Sequence, residues 1–265
     1  MIRSFRSELL KLRRPGVIAG GGAALAGFTV LVSVLTFTTA TTTGTAAPGN
    51  QYPPASYAEL ASAGGLTRGF ANAAGLLGIL VFVLFVTSIT TEYGQGTVRV
   101  LLTRQPSRTR LLGGKLLALA AVTAGAMAAA LILSAAISIP LAHGRDIATT
   151  RWFTAAALSH LAAGYGNGLL AVAFFGAAGF ALGVLLRSTV LALSVGLAWL
   201  LPLENIVQNS WKHAQHWLPG LLFGAVGRGG TTIVSYSVAV GLAAAYAVAA
   251  LTAAGVSFLR RDITA

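Results

Sequence analysis

Few side chains in this sequence are equipped for chemistry, and what they lack narrows the function more than what they offer. The 265 residues hold six carboxylates, four histidines and no cysteine. Thiolate catalysis, disulfides and Cys-based metal sites are therefore excluded. His213 and His216 lack a third ligand nearby, so interfacial histidines are a better reading of the pair than a zinc site. H-E-x-x-H is absent, and Asp146 and Asp262 are the only aspartates, too few for the Asp-rich magnesium sites of membrane prenyl transfer. Gly113-Gly114-Lys115 resembles part of a phosphate loop but lacks the earlier glycine and the following Ser or Thr. No catalytic, cofactor-binding or metal-binding residue is assigned. Any energy for work must come from a partner or a gradient.

Two acids stand beside hydrocarbon, where a charge is expensive. Glu92 closes an apolar run and opens the segment EYGQGTVRVLLTRQPSRTRLLGGK, which carries Arg99, Arg104, Arg108, Arg110 and Lys115 between two uncharged stretches. A carboxylate in a positive loop is expected to pair with one of those arginines and fix the loop's shape. Glu204 follows Pro202, where an apolar run ends and a proline can free backbone carbonyls. Two readings stay open for it: an outer gate or cargo path, and a structural pair with Lys212 or His213. His160 and Asn167 are further pathway candidates if they face a bundle interior, with helix packing as the plainer alternative.

The elements that must position these groups are transmembrane helices. Hydrophobic residues make up 55% of the chain and charged residues 9%, and Gly and Ala are abundant, the usage of a membrane bundle with closely approaching helices. Six apolar segments each suffice for a crossing, near 16–38, 69–91, 115–141, 155–186, 188–203 and 232–258. The fourth is long enough that it should begin as a surface segment near Trp152 or tilt. The fifth is short and stops at Glu204. Residues 204–231, with Trp211, Lys212, His213, His216, Trp217, Pro219 and Gly220, suit an interfacial or re-entrant outer segment. A single transmembrane domain over 1–265 follows, with no separate soluble domain.

Orientation follows from the basic residues. The termini, the 92–115 segment and Arg187 carry 13 Lys and Arg against 5 on the other side, which predicts cytoplasmic termini in a cell membrane. The net charge of +12 lies in the gaps between apolar runs, with no basic face interleaved with aromatics, so nucleic acid is not the expected partner. Before the first span, residues 1–15 place Ile2, Phe5, Leu9 and Leu12 on one stripe and end at Pro15. Such an amphipathic helix lies on the inner membrane surface against anionic lipid, and can also touch a cytoplasmic partner. In the central loop, Gly94 and Gly96 end one helix, Thr97–Thr103 can form about two helical turns, and Pro106 can open the next.

One order of residues is more specific. Glu92, Gly96-Thr97, Leu101-Leu102-Thr103, Pro106-Ser107-Arg108 and Gly114-Lys115 resemble the permease subunit of ABC-2-type transporters. The likeness extends to the amphipathic N-terminal helix, the six spans, the irregular segment before the last span and the basic end at Arg260-Arg261. The resemblance implies an all-α membrane protein of the type V ABC exporter kind. It also implies two permeases, identical or paralogous, and two cytoplasmic ABC ATPase subunits that bind ATP and Mg, since this chain binds no cofactor of its own. By the same resemblance, 97–103 is the coupling helix seated in the ATPase. Glu92, Arg99, Arg104 and Arg108 make the polar contacts around it, with Gly96, Thr97, Leu101, Leu102, Thr103 and Pro106 shaping it. Arginines that only enforce topology are the plain alternative.

Other classes are weaker. A secondary transporter could use Glu92 or Glu204 for proton coupling, but paired broken helices in inverted repeats are not visible. An anchor or sensor that recruits an ATPase shares the docking loop without a lined path. A channel calls for rings of carbonyls or charges that are not seen here. A pathway of Phe, Leu, Val, Ala and Gly suggests a lipid, peptide or hydrophobic antibiotic-like cargo, exported as the family mostly does. Outer residues such as Tyr52, Tyr57, Arg68, Trp211 and Trp217 serve either release or interfacial anchoring.

Overall fold

A computed structural model describes residues 15–44, 54–94, 108–211 and 213–260. Among these residues the regular structure is helical, apart from one parallel bridge between Thr41 and Ser56. In chain order the α-helices are α1 (Pro15–Thr38), α2 (Tyr57–Leu60), α3 (Gly65–Gly94), α4 (Arg108–His143), α5 (Ala155–Leu186), α6 (Thr189–Ala198), α7 (Glu204–Ser210), α8 (Pro219–Gly227) and α9 (Tyr236–Arg260). Six stretches are long and apolar enough to cross a membrane: Ile18–Thr38, Gly65–Gly94, Leu112–His143, Ala155–Leu186, Thr189–Ser210 and Tyr236–Arg260. The chain is a multi-pass membrane protein. The amphipathic helix expected at 1–15 and the coupling segment 97–103 lie outside the described residues, apart from Pro15, which opens α1.

One expected boundary is corrected. The fifth span does not stop at Glu204. It runs to Ser210 through one π-helical turn, Trp199–Leu203, that contains Pro202. Proline has no N–H to donate and its ring crowds the preceding turn; widening the ladder absorbs both, and the Glu204 N–H bonds back to the Trp199 carbonyl. The fourth span, Ala155–Leu186, is preceded by a short segment that holds Trp152. Trp152 lies in a 3-10 turn, is 2% exposed, and donates its indole N–H to the Leu60 carbonyl at 2.8 Å. Thr154 then starts α5 by capping the Ala157 N–H.

The bundle is built around α3 and α5, its most extensive helix pair. Glycines make that possible, because with no hydrophobic drive between helices in lipid, close backbone packing must hold them. A Cβ at Gly179 would stand 2.6 Å from the Phe82 carbonyl oxygen, and Gly176 and Gly168 receive the rings of Phe85 and Phe70. Gly78 on α3 returns the arrangement by receiving Phe175. On either side of this pair lie two apolar clusters, one reaching α4 and α9 through Leu119, Met127 and Phe258, the other reaching α8 through Leu222, Phe223 and Val226. By contrast α1 and the α6–α7 stretch keep most of their residues exposed.

Among the described residues, some of the polar contacts between helices lie inside the spans. Ser33 meets Ser134 at 2.9 Å, Asn72 donates to Thr36 at 3.1 Å, and Tyr165 donates to the Ala124 carbonyl at 3.0 Å. Each satisfies a group that hydrocarbon would leave bare. One end of the bundle is closed by Phe37, Leu60, Ile147 and Trp152. The other, called the basic end below, gathers Gly94, Arg108, Arg187 and Arg260.

Candidate functional site

A cleft of about 590 Å³ opens between α1, the face of α3 carrying Arg68, Asn72, Leu76 and Ile79, the π turn with α7, and α8. Its apolar wall includes Val32, Leu35, Leu76, Ile79, Phe175 and Leu200. Among the described residues lining it, Arg68, Glu204 and Arg228 are the ionisable ones. Arg68 pairs with Glu59 at 2.6 Å, yet its Nε is buried with no hydrogen-bond partner.

Glu204 is 1% exposed and holds the start of α8. Its two carboxylate oxygens accept from the Gly220 N–H at 3.0 Å and the Leu221 N–H at 2.8 Å. The accounting at that helix start is complete. Pro219 has no N–H, Gly220 and Leu221 give theirs to Glu204, and Leu222 gives the first intrahelical bond to Leu218. Leu218, at the cap position, has no side-chain acceptor to do this, so an acid 16 residues before Gly220 does it instead. Gly220 is required sterically, since a Cβ there would stand 2.6 Å from Glu204 Oε2.

Of the structural pairing expected for Glu204, the His213 alternative is replaced by a helix cap. The contacts of Glu204 are backbone N–H groups rather than His213, and Lys212 lies outside the described residues. The physical reason is that the π turn carries Glu204 past the end expected for its span and aims it at α8. Pro202 is the residue around which that turn forms.

At the basic end, Glu92 Oε1 meets Lys115 Nζ at 2.8 Å, with the lysine side chain 5% and the glutamate 14% exposed. The partner supplied by the described residues is the lysine that opens the next span, where an arginine of the loop was expected. Glu92 stands in the last turn of α3 and Lys115 two turns into α4, so the pair ties the two ends of the intervening segment together. Beside it, Arg187 ends α5 in the left-handed conformation (φ 54°) and lays its guanidinium over the Tyr93 ring at 5.3 Å. Thr189 donates to Thr90 at 2.7 Å. Four spans, those of α3, α4, α5 and α6, thus meet around the root of the loop.

The remaining expected site residues are not brought together. Gly96, Thr97, Arg99, Leu101, Leu102, Thr103, Arg104 and Pro106 lie outside the described residues, as does the side chain of Arg108. His160 is exposed, beside Gly64 at the closed end, and not in the bundle interior as its candidacy required. Two turns into α5, it faces the Gly64 turn before α3. Asn167 is half-buried against the turn at Gly229, where a Cβ would stand 3.2 Å from its amide nitrogen; it does not line the cleft. Sequence reasoning missed Asn72 and Arg228 as lining groups. A hydrophilic residue one turn from Arg68 in α3, and an arginine after the Gly-rich end of an apolar stretch, were the available signals.

No curated protein matches this chain. The model of one family, described as "Protein of unknown function (DUF2705)", matches residues 50–264, most of the chain including five of the six spans, and the chain belongs to that family.

Proposed function

We propose that this chain is the membrane-spanning permease subunit of an ATP-driven transporter of the ABC-2 type, working with separate cytoplasmic ATPase subunits that bind ATP and Mg. The supporting observation is the root of the 92–115 segment. The Glu92–Lys115 ion pair and the Arg187–Tyr93 stack connect α3, α4 and α5 there, so a force applied to the loop would reach three spans at once. That is the mechanical requirement for a coupling helix at 97–103, with Arg99, Arg104 and Arg108 on the ATPase. The chain itself is not an enzyme in this reading. Two copies, or one copy and a paralogue, form the path, exporting an apolar or amphipathic cargo across the cell membrane. The termini are cytoplasmic, residues 1–15 lie on the inner surface, and α8 with its flanking turns is a re-entrant outer segment.

The assignment is tested by deleting 97–103, or by reversing Arg104 and Arg108 to Glu. Both should abolish copurification of the ATPase while leaving insertion intact. Equal copurification with the deletion removes the docking role. The topology is tested with a cysteine at Ser107, which the cysteine-free chain allows without background. It should resist an impermeant thiol reagent in intact cells, and labelling there overturns the orientation.

A further inference from the structure

We infer that the cleft between α1, α3, α7 and α8 binds a membrane amphiphile with a phosphate head, the head held by Arg68 and Arg228 and the chain lying along the apolar wall. Leu35 and Leu201 line the cleft while remaining 48% and 41% exposed on membrane-spanning stretches. The mouth therefore faces hydrocarbon, and an amphiphile already in the bilayer reaches it without crossing water.

Charge selects the head. Among the described residues two cations and one acid line the cleft; Arg68 keeps Glu59 on one terminal nitrogen, and both oxygens of Glu204 are engaged by the Gly220 and Leu221 N–H groups. Arg68 offers a buried Nε donor with no partner. Arg228 follows Gly227, whose Cβ would touch Ala74, six residues further along α3 than Arg68, or about 9 Å deeper at the helical rise. The Arg228 guanidinium turns back over Gly224, so that this glycine leaves room for it at the cleft wall. Two guanidinium forks at different depths suit a phosphate, whose oxygens diverge.

Size limits the occupant. A volume of about 590 Å³ lies within the range of small-ligand pockets, roughly 300–1,000 Å³. It holds a head and part of a chain, with the rest of a lipid extending into the bilayer through the mouth. As the cargo class of the permease this inference rests on the transport reading, but the binding itself needs no ATPase and is measured without one.

The experiment uses the full chain in phosphatidylcholine nanodiscs, titrated with phosphatidylglycerol and, separately, with added phosphatidylcholine of the same chain length, and read by native mass spectrometry. Phosphatidylglycerol should bind about tenfold more tightly, and Arg228→Gln should bring the two close to equal, with Arg228→Lys retaining part of the difference. Gly75 lines the cleft with open space where a Cβ would stand, so Gly75→Leu fills the cleft while keeping every charge. It should weaken phosphatidylglycerol severalfold, and it decides the matter if Arg228→Gln fails to insert. Sodium phosphate in excess should not displace the lipid. Equal binding of the two lipids to the wild type, or unchanged phosphatidylglycerol binding in Gly75→Leu, overturns the proposal. So does complete displacement by sodium phosphate, which would mean a site for a free anion. So does a Gly75→Leu variant that loses only a dimer, which would mean that a second copy fills the cleft. If ATPase docking fails but lipid binding holds, only the transport reading falls.

Discussion

Glu92 and Glu204 face the same difficulty at two places in the bundle and meet it differently. At the basic end the charge is matched by a charge: Lys115, almost fully buried, gives Glu92 a counter-ion from the next span. At the cleft the charge is matched by a helix start, with two backbone N–H groups of α8 divided between the two carboxylate oxygens. An ion pair between two side chains joins elements without fixing their angle. A carboxylate bonded to consecutive N–H groups fixes where a helix begins and how it points, because those donors are rigid parts of the backbone. The first arrangement suits the root of a loop that must transmit movement, the second a short buried helix that must stay in place.

The largest expected effect breaks the second arrangement. Glu204→Ala leaves the half-buried Gly220 and Leu221 N–H groups without acceptors, a loss of about 3 kcal/mol at roughly 1–3 kcal/mol per group. Thermal unfolding in detergent should show it directly, and Glu204→Gln, which keeps one acceptor oxygen, should lose about half as much. A wild-type transition for Glu204→Ala would mean that the cap does not hold α8. Next comes the ion pair. Lys115→Met strands a largely buried carboxylate and should lose about 2 kcal/mol, less than the fully buried limit because Glu92 is 14% exposed. Adding Glu92→Gln should recover most of that loss, and additive losses in the double variant would dissolve the pairing.

A smaller effect sharpens the contrast. Gly220→Ala pushes a Cβ against Glu204 Oε2 and should destabilise by about 1–2 kcal/mol in the wild type. In a Glu204→Ala background the same change should cost less, since the carboxylate is gone and only Leu200 Cδ2, 2.8 Å from the added Cβ, remains in the way; equal losses in both backgrounds would assign the clash to Leu200. The smallest effect belongs to Arg187→Gly. It relieves a left-handed residue while removing the stack on Tyr93, two terms of about 1 kcal/mol and of opposite sign, so stability should change by less than about 0.5 kcal/mol. If Arg187→Gly leaves stability unchanged but uncouples a bound ATPase from transport, the stack serves transmission rather than folding.

Much of the architecture was legible in residue order because it depends on composition over about 20 residues. The apolar runs ending near Thr38, Leu186 and Phe258 forecast their spans to within a few positions, since hydrocarbon tolerates no unpaired backbone and leaves helices as the way across. The fifth span was misjudged because Pro202 and Glu204 together read as a stop. A proline's effect depends on whether the ladder can widen by one residue, and that is decided by what packs around it. The misplacement of His160 has a similar origin: within a helix the sequence gives a residue's angular position, and the neighbour it faces comes from elsewhere in the chain.

By itself the sequence determined that this is a helical membrane protein and that Glu92 and Glu204 would need partners. Those are consequences of residue type and of the cost of charge beside hydrocarbon, which act wherever a residue ends up. Only the tertiary structure decided who the partners are. Lys115 lies 23 residues from Glu92, and the Gly220 and Leu221 N–H groups lie 16 and 17 residues from Glu204, with turns and helix starts between them. The cleft was likewise beyond reach, because its walls come from four elements separated in the chain and its shape is the space their packing leaves.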